Sequence, residues 1–237
     1  MSYELILFDA DDTLFDFRRA ERHAFEAMLA EVLRERPTAG PLEEVYGLYQ
    51  RINQRVWEEL EQGVLPKARL NAERFHRLWK ALGLEVDVEH SGARYVAHLS
   101  RCSFLLEDAL EACVRLRQEL GCRVGIVTNG LSQVQRSRLE CSALAPWVDF
   151  MVVSEECGHA KPDPRIFAYT FERHPHAAPE ATLFIGDRLE ADVQGANAFG
   201  LDSCWFNPER RPNPTPIRPK YEIHALRQVC ELVARGR

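Results

Sequence analysis

Asp9-Ala10-Asp11-Asp12-Thr13 places three carboxylates and a hydroxyl within five residues. Carboxylates this close repel one another, so ionising all of them calls for a cation, and an oxygen-only donor set suits magnesium. One such carboxylate could attack phosphorus and carry the group as an aspartyl-phosphate. The neighbour two residues on could protonate the leaving alkoxide and later deprotonate the attacking water. Three further stretches supply complementary groups. In Val127-Thr128-Asn129-Gly130 a hydroxyl and successive backbone N–H groups stand at a prospective helix start, where phosphate oxygens are well held. Lys161, within Gly158-His159-Ala160-Lys161-Pro162-Asp163, offers a fixed cation to balance phosphate and nucleophile. Gly186-Asp187-Arg188-Leu189-Glu190-Ala191-Asp192 offers Asp187 as a metal ligand, with Asp192 in support one turn away. Singly, each stretch also reads as a capped turn or a solvated lysine.

Their placement separates these readings. Glu4-Leu5-Ile6-Leu7-Phe8 is a short apolar run that stops at the first acidic cluster, as a buried parallel strand would. Similar runs recur at Cys122-Arg123-Val124-Gly125-Ile126-Val127, Phe150-Met151-Val152-Val153, Thr182-Leu183-Phe184-Ile185 and Ser203-Cys204-Trp205-Phe206. Helix-period segments lie between them: Ala109 to Leu120, Val134 to Leu139, Ile166 to Phe171 and Val193 to Phe199. Strand alternating with helix predicts an α/β fold, a doubly wound Rossmann-like parallel sheet with helices on both faces. Ligands bind such sheets beyond the strand carboxyl ends, where the chemical stretches fall. Four of them agreeing in order makes coincidence remote.

More than a hundred residues between the first strand and the second break the alternation. Phe17, Ala20, Ala24, Met28 and Val32 share one helical face; Val45, Tyr49, Ile52, Val56 and Leu60 share another. Phe75, Leu78, Trp79 and Leu82 mark a third helix, and Val88, Tyr95, Val96 and Leu99 a fourth. These predict an inserted four-helix bundle at residues 16–95, with 1–15 and 96–237 forming the core domain. The bundle's aromatics, Tyr46, Tyr49, Trp57, Phe75 and Trp79, read mainly as its interior. Asn207 to Pro219 holds five prolines and reads as an extended arm, with a closing helix over 224–235.

Composition narrows the partners. Of 237 residues, 46% are apolar and 28% charged, which suffices for a packed core. The net charge of -6 argues against a nucleic-acid polymer, whose binding leans on clustered Lys and Arg. No apolar run approaches the roughly 20 residues needed to span a bilayer, and residues 1–8 carry no signal-peptide pattern, so no membrane partner and a cytoplasmic location are expected. Seven cysteines without a CxxC pair give neither a disulfide framework nor a zinc site.

The motifs Asp9/Asp11/Thr13, Thr128, Lys161 and Asp187/Asp192 resemble the four motifs of the haloacid dehalogenase (HAD) superfamily, over nearly the whole chain. The resemblance implies a central first strand flanked by the strands carrying Thr128 and Asp187, and a helical cap of the first subclass. It implies Asp9 as nucleophile, Asp11 as general acid/base and Thr13 as a brace of the loop. It implies phosphate binding by Thr128, the amide of Asn129 and Lys161. Mg2+ would be bound by Asp9, the Asp11 carbonyl and Asp187, with Asp192 as a variable ligand. Dehalogenases of the superfamily lack the acid two residues after the nucleophile, so Asp11 favours phosphoester hydrolysis. A beta-phosphoglucomutase cap signature is not recognised here.

Within the superfamily, Leu7 to Phe15, Thr128-Asn129-Gly130-Leu131, Ser154 to Pro162, and Glu61-Gln62-Gly63 with Arg74-Phe75 look most similar to bacterial pyrimidine 5′-nucleotidases. This implies a small phosphorylated metabolite as partner, a nucleoside monophosphate such as UMP, dUMP or dTMP. Trp57 and Phe75 are the expected base-stacking residues, with Arg18, Asn53 and Asn71 as base or ribose contacts. The alternatives are a phosphosugar or N-acylneuraminate phosphatase and a non-catalytic phosphate-binding module. Asp12, where those nucleotidases often have Glu, and a charged insertion around Arg34 to Pro41 depart from the pattern. The chain is expected to act as a monomer or homodimer.

Overall fold

The computed structural model describes residues 3–34, 40–175 and 178–235. Strand β1 (Leu5–Phe8) is followed by four helices, α1 (Phe17–Val32), α2 (Leu42–Glu61), α3 (Leu70–Leu82) and α4 (Val88–Leu99). The alternation then resumes with α5 (Ala109–Gln118), β2 (Arg123–Thr128), α6 (Ser132–Glu140), β3 (Phe150–Val153), α7 (Ser154–Cys157), α8 (Arg165–Arg173) and β4 (Thr182–Gly186). A π-helical turn (Leu189–Val193), α9 (Gln194–Phe199), β5 (Asp202–Phe206), β6 (Tyr221–Ile223) and α10 (Arg227–Arg235) complete the order. The chain divides into two compact units, residues 1–17 with 103–237, and residues 18–102.

The larger unit is a six-stranded parallel sheet in the order β3-β2-β1-β4-β5-β6. Successive side chains of a strand point to opposite faces, and here both faces are covered. Ile6, Phe8, Val124, Ile126, Leu183 and Ile185 face α5 and α10 through Ala112, Cys113, Leu116, Val229 and Val233. Leu5, Leu7, Val127, Val152 and Phe184 face α8 and α9 through Ile166, Phe167 and Ala196. This burial on both sides is why the strands read as continuous apolar runs. β1 pairs with β2 and β4 in register, Phe8 opposite Ile126 on one side and Ile185 on the other. The segments after Phe8, Ile126 and Ile185 therefore emerge at one sheet edge.

Strand β6 was not expected from the sequence. It has three residues, stands at the sheet edge, and follows the proline-rich arm, so neither length nor period announces it. Asn207 stabilises the start of that arm: its Nδ2 donates to the Arg211 carbonyl at 2.9 Å, and its Oδ1 accepts from the Arg211 N–H at 3.0 Å.

The chain leaves and returns to the sheet unit through paired backbone. Asp16 N–H donates to the Phe104 carbonyl and Leu106 N–H to the Leu14 carbonyl, both at 3.0 Å. Phe15 and Leu105 form the antiparallel bridge between them.

The smaller unit holds most of α1 and all of α2, α3 and α4. Its interior is a chain of rings: Phe25 stacks on Tyr49 at 4.5 Å between centroids, Tyr49 on Phe75 at 5.8 Å, and Phe75 on Trp79 at 6.3 Å. Gly83, left-handed at φ 66°, ends α3, and the Asp87 carboxylate caps α4 by accepting from His90 N–H at 2.9 Å. The boundary expected at residue 95 falls inside α4. Tyr95, Val96 and Leu99 all bury on its apolar face, so the helix continues and the unit ends at Cys102. Of the charged insertion at Arg34 to Pro41, residues 35–39 lie outside the described residues.

Candidate active site

Asp9, Thr128 and Asp187 sit where β1, β2 and β4 stop, Lys161 follows β3 by way of the short helix α7, and Asp192 lies in the π-helical turn. Asp9 follows β1 directly, and its N–H donates to the Ile185 carbonyl at 2.8 Å, so the first residue of the acidic loop is pinned to β4. The loop turns tightly: Leu14 and Phe15 N–H both donate to the Ala10 carbonyl at 2.9 Å, and Asp12 takes a left-handed φ of 55°. This backbone network braces the loop. Thr13, expected to do so, is fully buried, and its hydroxyl meets no hydrogen-bond partner among the described residues.

Lys161 Nζ donates to Asp9 Oδ1 at 2.5 Å and lies 2.7 Å from Asp192 Oδ1, with all three side chains buried. Carboxylate oxygens of Asp9, Asp187 and Asp192 all lie within 4.8 Å of one another. Burial pushes the Asp9 carboxyl up to about 7; Lys161 opposes that rise, and Asp192 and Asp11 add to it. Burial, then the charges of Asp192, Asp9 and Asp12, lift Asp187 well above the carboxylate range. For Lys161 burial favours the neutral form, but Asp192 and Asp9 outweigh it and leave the ammonium stabilised. One ammonium thus faces three carboxylates. A hard divalent cation fits this donor set, because it supplies the missing charge through oxygen ligands alone.

The supports of this cluster are local. Gly186 has no room for a side chain, since a Cβ there would lie 2.3 Å from Asp192 Cγ. The π-helical turn folds Asp192 back so that its Oδ2 accepts from Arg188 N–H at 3.0 Å. The Trp205 indole N–H donates to the Asp187 carbonyl at 2.9 Å, tying β5 to the ligand loop. The Asn129 side chain holds both backbone groups of Lys161, donating to its carbonyl and accepting from its N–H, each at 2.8 Å. That side chain therefore positions the lysine. Thr128 is buried at the end of β2, and its Oγ1 accepts from Gly130 N–H at 3.3 Å.

The Asp11 carboxylate does not join the three-acid cluster. Its Oδ2 accepts from Gln135 Nε2 at 2.5 Å, and its Oδ1 pairs with Arg138 Nη1. Neither α6 residue was singled out from the sequence, where Val134 to Leu139 reads as an ordinary helical segment. The available signal was a Gln and an Arg three apart, on one face of a helix that opens directly after Thr128-Asn129-Gly130.

The expected substrate contacts lie in the other unit. Phe75 is buried between Tyr49 and Trp79, so its ring is committed to the bundle interior and offers no open face for a base. Asn53 is buried, and its Nδ2 donates to Glu21 Oε1 at 2.8 Å, while Asn71 Oδ1 accepts from Arg74 at 3.1 Å. Trp57 is half-buried and Arg18 exposed.

The haloacid dehalogenase-like hydrolase description matches residues 3–200. The chain belongs to this family of enzymes. It is 36% identical to the HAD-hydrolase YfnB of Bacillus subtilis over 98% of this chain and 95% of that one. It is 31% identical to the pyrimidine 5′-nucleotidase PynA of Streptococcus pneumoniae over 98% of this chain and 95% of PynA. Identity to the pyrimidine 5′-nucleotidase YjjG of Escherichia coli is 30%, over 99% and 100% of the two chains. The magnesium-bound crystal structure of YfnB superposes with a TM-score of 0.87, covering 98% of this chain and 99% of that one. Among the described residues no helix is long and apolar enough to cross a membrane.

Proposed function

We propose that this HAD-family enzyme is a magnesium-dependent phosphomonoester hydrolase that works through an aspartyl-phosphate on Asp9, acting on pyrimidine nucleoside 5′-monophosphates such as UMP, dUMP and dTMP. The observation that carries the reading is the buried group at the end of β1, where Asp9 meets Lys161 within a cluster of three carboxylates that share one ammonium. An Asp9 oxygen bonds to phosphorus as the ester P–O bond breaks, and Asp11 gives its proton to the departing alkoxide. Water then attacks the aspartyl-phosphate, passes a proton to Asp11, and frees phosphate and Asp9. Lys161 and Thr128 hold the phosphoryl oxygens through both transfers. Bound magnesium, held by Asp9, Asp187 and the Asp11 carbonyl with Asp192 braced beside them, would supply Lewis-acid charge neutralisation. Residues 18–102 serve as a cap that excludes water from the first transfer and admits it for the second.

Full-length similarity to PynA and YjjG supports the choice of base class. The test is phosphate release from a panel of nucleoside monophosphates and sugar phosphates, with magnesium or EDTA, beside Asp9→Asn. Magnesium-dependent release from UMP, dUMP or dTMP, absent in Asp9→Asn, is expected. Release from sugar phosphates alone would overturn the substrate, and no release from any ester would overturn the hydrolase reading.

A further inference from the structure

Helix α6 buries the wrong kind of residue for a plain packing helix. Val134 is buried as expected, but so are Gln135 and Arg138, which turn one helical face of a nine-residue element into a polar interior. Burying an amide and a guanidinium is costly unless their donors are used. Both converge on the Asp11 carboxylate, one on each oxygen: Gln135 Nε2 on Oδ2 at 2.5 Å and Arg138 Nη1 on Oδ1. Behind this contact the Arg138 guanidinium stacks over the ring of Phe15, 4.7 Å from its centroid, and near Phe17 at 5.9 Å, so it cannot swing freely. In front, the Asp11 side chain remains 27% exposed while that of Arg138 is fully covered. The preceding turn is shaped for the same contact. A Cβ on Gly130 would lie 2.2 Å from Gln135 Nε2 and 2.7 Å from its Cγ. Gly130 is not in the left-handed region, so the missing side chain serves the passage of Gln135 and not the backbone.

We propose that Gln135 and Arg138 are positioning residues that fix the plane of the Asp11 carboxylate for proton transfer to the leaving group. The proposal rests on the reading of Asp11 as the general acid/base. A carboxylate has about four lone-pair sites, two on each oxygen. Gln135 and Arg138 take one on each oxygen and leave the exposed side for the proton in transit. As the Asp9–phosphorus bond forms and the ester bond breaks, the Asp11 proton passes to the alkoxide oxygen, and a fixed carboxylate plane aligns that transfer. Arginine suits the task because its planar fork holds an orientation that a lysine point charge does not.

The experiment is a leaving-group series read as kcat/KM, which reports the first phosphoryl transfer. Phosphate monoesters from p-nitrophenyl phosphate to an alkyl nucleoside monophosphate are assayed with the wild type, Asp11→Asn, Gln135→Ala, Gly130→Ala and Arg138→Lys. Folding of each variant is checked by circular dichroism. Gln135→Ala is expected to lose about tenfold or more on the alkyl ester and about threefold or less on p-nitrophenyl phosphate, with KM little changed. Asp11→Asn should show the same selectivity more strongly, and Gly130→Ala should reproduce it by displacing Gln135 without removing it. Arg138→Lys keeps the charge, yet should recover only part of the alkyl-ester rate. An equal loss on every ester in folded Gln135→Ala and Gly130→Ala, with Asp11→Asn still selective, would reduce the two residues to packing and overturn the proposal. An unselective Asp11→Asn would overturn the general-acid reading, and the positioning role with it.

Discussion

Removing Lys161 and its partner Asp192 separately and together tests whether the cluster is held by mutual charge compensation. Lys161 Nζ lies 2.7 Å from Asp192 Oδ1, and the two side chains are 1% and 2% exposed, so solvent screens the pair little. At an effective dielectric of about 20, unit charges at that separation attract by about 6 kcal/mol. Desolvation of both ions takes back much of this, and deleting one member of such a pair costs about 3–5 kcal/mol because the other stays buried and uncompensated. Lys161→Met leaves Asp9 and Asp192 buried without their ammonium and should destabilise by roughly that amount in EDTA, whereas Asp192→Asn leaves Lys161 paired with Asp9 and should cost less. The double variant buries neither charge, so its loss should fall below the sum of the two by about 2–3 kcal/mol. Asp9 remains without its ammonium in both Lys161 backgrounds, and its contribution therefore cancels in the cycle. The assay is urea unfolding followed by near-ultraviolet circular dichroism at fixed pH and salt. Losses that add within about 0.5 kcal/mol would refute the charge-compensation account and leave Lys161 as a packing residue.

Three further outcomes follow from packing and burial. Gly186→Ala drives a methyl into Asp192 Cγ, so a loss of about 1–3 kcal/mol by thermal unfolding is expected, together with slower phosphate release in the proposed assay with magnesium. Burial pushes the Cys113 thiol up to about 12 and the Cys230 thiol up to about 11, so both stay protonated at pH 8. Iodoacetamide should then label exposed Cys141 and half-buried Cys157 in the native protein, and the buried cysteines only after unfolding, as read by peptide mass. Phe75→Ala empties the middle of the ring stack and should destabilise residues 18–102 by about 3–5 kcal/mol in urea unfolding. A change in KM for UMP with no loss of stability would return Phe75 to the substrate.

The sheet and its motif edge were legible because buried parallel strands are apolar throughout and end abruptly at polar chemistry, as Leu5 to Phe8 does at Asp9. The four insertion helices were legible through their period, Val88, Tyr95, Val96 and Leu99 marking α4 as far as its last residue. Reading stopped where local pattern and tertiary role diverge. Gln135 and Arg138 look like solvated helix residues until Asp11, far earlier in the chain, is seen to meet them. The π-helical turn at Leu189–Val193 changes the residue count per turn for five residues, too few to alter a periodicity, yet it directs Asp192 back to Arg188 N–H. Phe75 stands at a spacing that serves core and ligand alike, and only its neighbours decide between them.

The paired backbone at Leu14 to Asp16 and Phe104 to Leu106 fixes the two ends of the insertion beside each other before any insertion residue is counted. To the sheet unit, residues 18–102 are then a closed loop of arbitrary content. The entropy of closing a loop grows only with the logarithm of its length, so doubling the insertion would cost about 0.6 kcal/mol. A catalytic sheet with such a junction can exchange one inserted domain for another of different size or specificity while Asp9, Lys161 and Asp187 keep their places.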